Sequence, residues 1–114
     1  MPLSQIVAAS LDSAQNGSAP IYGARAWVNF NGTGTVAIRA SGNVSSITDN
    51  NTGNYSVNFT TAMSDANYSG SFCGNGLAQI PVFYVPATSS IQVLYYNTGG
   101  TPVDNTICVL AIFR

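Results

Sequence analysis

Any chemistry in this chain falls to very few side chains. Beyond neutral hydroxyls and amides it has two cysteines (Cys73, Cys108), four aspartates (Asp12, Asp49, Asp65, Asp104) and three arginines (Arg25, Arg39, Arg114). His, Lys and Glu do not occur. No side chain therefore titrates near neutral pH in its ordinary state, and the aspartates are scattered, so general acid–base catalysis lacks its agents. Hydroxyls are plentiful, but no base stands by to activate one as a nucleophile. The commonest zinc and copper ligand is missing as well. Three arginines do not neutralise a phosphate stripe, which argues against a nucleic-acid partner. The chain is expected not to be an enzyme and to need no cofactor or metal.

The remaining motifs weaken on inspection. Asn31-Gly32-Thr33-Gly34 is glycine-rich but lies between two alternating segments, so it reads as a hairpin turn rather than a phosphate loop. Asp49 among asparagines fits no EF-hand spacing and reads as a polar turn. Asn-X-Ser/Thr tripeptides begin at Asn16, Asn31, Asn43, Asn50, Asn54, Asn58 and Asn67, a density that the composition alone produces. Cys73 and Cys108 allow one bridge; with no secretion signal ahead of them, two reduced thiols are expected. One constellation points to binding. Trp27, Tyr55, Tyr68 and Tyr84, set among asparagines, are candidate contacts for a neutral glycan or a protein partner, against the alternative of core packing.

The elements that must position these residues follow from periodicity. The chain has 114 residues, enough for one domain, and 46% of them are hydrophobic, enough for a core. Residues 1–23 carry a short helical stripe (Leu3, Ile6, Val7, Leu11) broken by Asn16–Pro20, and read as an arm for docking or oligomerisation. From Ala24 the period becomes two. Ala26, Val28 and Phe30 alternate with Trp27, Asn29 and Asn31. Thr35–Arg39 alternates again, Ala40–Thr48 reads as a weaker strand, and Asp49–Gly53 as a loop. Tyr55, Val57 and Phe59 form the cleanest alternation, and Met63–Asn67 a tight connection. Further strands pass through Tyr68–Phe72, Val82–Val85, Ile91–Tyr95 and Ile107–Phe113. Pro81 and Pro86 suit an edge or a linker strand for Val82–Val85. Seven or eight strands with turns every 8 to 12 residues predict, for 24–114, an all-β antiparallel β-sandwich or small barrel, jelly-roll-like. The last strand is apolar on both faces, as a subunit contact or a central strand would be. No apolar run is long enough for a membrane-spanning helix, and membrane insertion is not expected.

Three segments carry a resemblance. WVNFNGTGTVAIRAS (Trp27–Ser41), NVSSITDN (Asn43–Asn50) and YSVNFTTAM (Tyr55–Met63) resemble the terminal module of bacteriophage tail-fibre proteins, and the opening MPLSQI is similar to the starts of such proteins. The match spans somewhat under half the chain. The Tyr55–Tyr68 stretch also resembles trimeric H-type lectin sandwiches. The resemblance implies a non-enzymatic virion structural protein, homotrimeric, assembled in the host cytoplasm and exposed on the particle. A tail-fibre or host-adhesion module that contacts surface glycan is the leading expectation, with residues 1–23 joining it to other virion proteins. A capsid decoration protein on the head surface is the alternative.

Overall fold

Alternation at period two becomes eight antiparallel strands in a computed structural model that describes residues 22–76 and 79–114. They are β1 (Ala26–Asn31), β2 (Ala37–Gly42), β3 (Val44–Asn51), β4 (Asn54–Phe59), β5 (Ser69–Gly74), β6 (Gln79–Tyr84), β7 (Ser90–Asn97) and β8 (Cys108–Phe113). Two four-stranded sheets result, with orders β2-β1-β8-β5 and β3-β4-β7-β6. We call them sheet A and sheet B. They pack face to face as a sandwich, not as a closed barrel. The strand number is that of a jelly roll, but the β1–β2 hairpin keeps those two strands in one sheet. The arm expected over residues 1–23 lies, except for Tyr22 and Gly23, outside the described residues.

Pairing corrects two expected boundaries. The stretch Ala40–Thr48 is not one strand. It breaks at Asn43, where a left-handed backbone (φ 55°) turns the chain from sheet A into sheet B. Asparagine tolerates this region, and its side chain holds the corner: Nδ2 donates to Arg25 O and Thr61 O, and Oδ1 accepts from Thr61 N–H. The expected loop at Asp49–Gly53 is mostly strand. β3 continues to Asn51, because pairing with β4 overrides weak strand propensity, and register shifts at Val44/Ser46 and Asp49/Asn51 absorb the mismatch. Only Thr52 and Gly53 turn, with Gly53 at φ 68°.

Inward side chains build the core. Ala26, Val28 and Phe30 of β1 and Cys108, Leu110 and Ile112 of β8 face Tyr55, Val57 and Phe59 of β4 and Ile91, Val93 and Tyr95 of β7. Edge-to-face aromatic contacts run through it: Phe30 to Tyr55 (5.3 Å), Tyr55 to Tyr95 (6.3 Å), Tyr95 to Phe72 (5.7 Å) and Phe72 to Phe83 (4.6 Å). Such pairs add stabilisation of about 0.5–1.5 kcal/mol each beyond area burial. β8, apolar on both faces, is the central strand between β1 and β5.

One end of the core is tied by polar groups. The Tyr55 hydroxyl lies 2.6 Å from Gly32 O and 2.7 Å from Asp104 Oδ1, two acceptors sharing one proton. Gly53 N–H donates to the same Asp104 oxygen at 2.7 Å. Gly32 N–H donates to Asn105 O at 2.8 Å. Burial, then Asp104, raises the Tyr55 pKa far above the ordinary tyrosine value, so the phenol stays protonated. Replacing Tyr55 by Phe removes the shared proton and leaves the buried Gly32 carbonyl without it, while exposed Asp104 keeps Gly53 N–H. The expected cost is about 1–3 kcal/mol, read as a lower urea midpoint with unchanged slope.

At the surface, Arg114 holds Asp65 through two hydrogen bonds of 2.9 and 2.8 Å, and Asn67 N–H adds a third at 2.8 Å. Arg114 first, then Asn67, lowers the Asp65 pKa from 3.8 to about 2. A depressed carboxylate pKa contributes stability above its unfolded value and loses it as pH falls through the folded one. Unfolding midpoints should therefore hold down to pH about 4 and fall between about 4 and about 2. In Arg114→Ala that fall should be smaller.

Candidate functional site

Since the core consumes the inward positions, binding chemistry is left to the two outward sheet faces and to the turns at their ends. The outward positions of β3 and β4 form a polar ladder. Asn50 Nδ2 donates to Asn54 Oδ1 (3.1 Å) and Ser56 Oγ (2.9 Å), and Asn58 Nδ2 donates to Ser46 Oγ (3.1 Å) and Thr48 Oγ1 (3.0 Å). These amides are spent on one another. The other half of the same face is apolar. Register pairs Ile80 with Tyr96 and Val82 with Leu94, and Tyr84 lies opposite Gln92. Ile80 and Tyr84 are well exposed.

β6 is an edge strand, as its prolines suggested, and Pro81 is accommodated for a definite reason. Its partner Tyr95 directs N–H to Gly53 O and accepts at O from Val103 N–H, both on the far side from β6. The ladder asks no donor of position 81, and the proline ring faces the open edge, where it discourages strand addition.

Sheet A presents a different outward face. Register lines up Gly42, Trp27, Ala111 and Ser71 in one row across β2, β1, β8 and β5. Ala40, Asn29, Val109 and Cys73 make the next row. Within these two rows one large ring stands among small side chains; Phe113, two residues beyond Ala111 on the same face, is the next large ring. The pyrrole side of the Trp27 indole lies over Gly42, where an added Cβ would come within 2.3 Å of Nε1. Beside it a groove of ≈ 420 Å³ opens over Ala111, Val109, Ser71 and Asn29. Trp27 remains 44% exposed. Arg39 is held at one end of this face, donating to Asn29 Oδ1 at 3.1 Å and to Thr106 O. Neither Arg39 nor Arg25 pairs with an aspartate among the described residues; Arg25 donates to Arg114 O at 3.2 Å.

The four aromatics expected to form one platform are therefore not brought together. Tyr55 is fully buried with its hydroxyl engaged. Tyr68 lies half-buried against Phe59 (5.9 Å), its hydroxyl within 2.9 Å of Ala87 O and 3.0 Å of Ser90 O. Trp27 and Tyr84 are exposed, but on opposite outer faces. The reason is the pleat: Tyr55 shares its side of β4 with Val57 and Phe59, and that side is the core. Asn29, Ser71, Ala111 and Gly42 were missed as neighbours of Trp27, because β1–β8–β5 register joins residues far apart in sequence.

Both cysteines are free. Cys73 pairs with Val109 and Gly74 with Cys108, so the two thiols occupy adjacent rungs but opposite faces of sheet A. Cys73 is exposed, while burial pushes the Cys108 thiol up to about 11. Comparison with known protein families, with curated proteins and with solved structures returns no match.

A thiol count should reflect this geometry. One equivalent, from Cys73, should react with a thiol-specific disulfide reagent in the native protein, and a second should appear only in denaturant. Two fast equivalents in the native protein would contradict the placement of Cys108.

Proposed function

We propose that the chain is a non-enzymatic structural protein of a phage virion: a homotrimeric tail-fibre or host-adhesion module that contacts neutral surface glycan. The observation that carries this reading is the outward face of sheet A, where an exposed tryptophan borders a small-floored groove with amide and hydroxyl neighbours. The segments that resemble phage fibre modules fall in β1 to β4 and contribute Trp27, Asn29 and most of the amide ladder. Residues 1–23 attach the module to other virion proteins. Self-association uses the apolar half of the sheet B face, Ile80, Val82, Leu94 and Tyr96, a surface costly to leave in water. Three copies multiply weak individual sites into useful adhesion.

Immunogold labelling of the virion and binding of purified chain to host cells test the reading. Label on tail fibres, together with saturable cell binding, is expected. Label confined to the head lattice would replace it with a decoration protein. Light scattering should return the mass of three 11.8 kDa chains, and Ile80→Asp should shift it toward one.

A further inference from the structure

The groove beside Trp27 can be assigned a ligand class from its own chemistry. This rests on the adhesion reading above and deepens it. We infer that the outward face of sheet A is a binding site for a single neutral pyranose, stacked against Trp27 and seated on Ala111 between Asn29 and Ser71.

Shape comes first. In the row Gly42–Trp27–Ala111–Ser71 only one member is large. Strands about 4.8 Å apart put Ser71 about 10 Å from Trp27, with only the Ala111 methyl between them. The indole leans over Gly42, away from that floor, and so leaves the space open. At ≈ 420 Å³ the groove lies within the range of small-ligand clefts.

Hydrogen-bonding capacity comes second. Among the described residues, neither Trp27 Nε1–H nor Asn29 Nδ2 donates to protein, and the exposed Ser71 hydroxyl makes no hydrogen bond. By contrast the Asn50 and Asn58 amides on sheet B already bond their neighbours. The free Asn29 and Ser71 groups border the groove beside an aromatic ring. A pyranose offers the matching pair of surfaces: a patch of C–H groups for the indole and a rim of hydroxyls for the amide and the serine.

Charge comes third. No carboxylate lines the groove. The neighbouring guanidinium, Arg39, is turned onto Asn29 Oδ1 and Thr106 O. No charged side chain lines the groove itself, so an anionic sugar finds no ion pair in its lining, whereas a neutral ring finds the indole, the amide and the hydroxyl. A protein partner's apolar anchor would use the ring and the floor but leave the Asn29 and Ser71 groups unpaired, at a cost.

Trp27 is the chain's one tryptophan, so its emission reports directly on this groove. The test titrates the full chain with methyl β-galactoside, methyl β-glucoside, methyl α-mannoside and N-acetylglucosamine, with N-acetylneuraminic acid as the anionic control. At least one neutral probe should give a saturable change in emission at millimolar concentration. Ala111→Phe, which fills the floor from an outward position, should weaken it about tenfold or more. Ser71→Ala should weaken it less. Absence of saturation with every neutral probe overturns the site, as does equal or stronger response to the anionic sugar. Emission that changes on diluting the protein, and not on adding sugar, would overturn it in favour of a contact between chains. If Ala111→Phe loses the sugar response yet binds host cells as before, the sugar site stands and its part in adhesion fails. If wild-type chain binds cells but no pyranoside, adhesion stands and this site fails.

Discussion

The sandwich depends on one proton and the three turns it draws together. The Tyr55 hydroxyl sits between the β1–β2 turn, through Gly32, and the β7–β8 connection, through Asp104. Asp104 in turn accepts from Gly53 in the β3–β4 turn. Two glycines make this junction possible. A Cβ at Gly32 would lie 2.6 Å from the Tyr55 hydroxyl, and one at Gly53 would lie 2.6 Å from Tyr95 O and 2.7 Å from Val103 O. Both sheets are thereby fixed to each other at one end, and the ring that carries the hydroxyl links Phe30 to Tyr95 in the aromatic row through the core. The junction lets a chain with so few ionic groups hold long polar connections against a compact interior.

Much of this architecture was legible in the sequence. Alternation at Tyr55, Val57 and Phe59 marks a strand with one buried face, and that face is buried as its pattern requires. Asn31-Gly32 marks a turn, and Asn31 Oδ1 does accept from Thr33 N–H and Oγ1 there. Pro81 marks an edge. The corner at Asn43 was hidden because a left-handed non-glycine residue leaves no periodic trace, and β3 was hidden because its pairing partner, not its own composition, makes it a strand.

The groove beside Trp27 is harder to read for a related reason. Period two tells which residues share a face of one strand, and it should have placed Tyr55 in the core beside Val57. It does not tell which residues of other strands stand beside them. Trp27 has Gly42 on one side and Ala111 on the other only because of register across three strands. That long-range information is what turns an exposed aromatic into a groove.

The scarcity of charge has a further consequence. Dissolved salt weakens contacts between exposed ions over a Debye length of about 10 Å at 0.1 M, but it has little to act on where recognition uses a ring face, an amide and a hydroxyl. Here no charged side chain lines the groove, and the Arg114–Asp65 pair lies away from it. Contacts made through such groups keep nearly the same strength in dilute and in concentrated salt. The economy of charged residues is thus a form of independence from ionic strength.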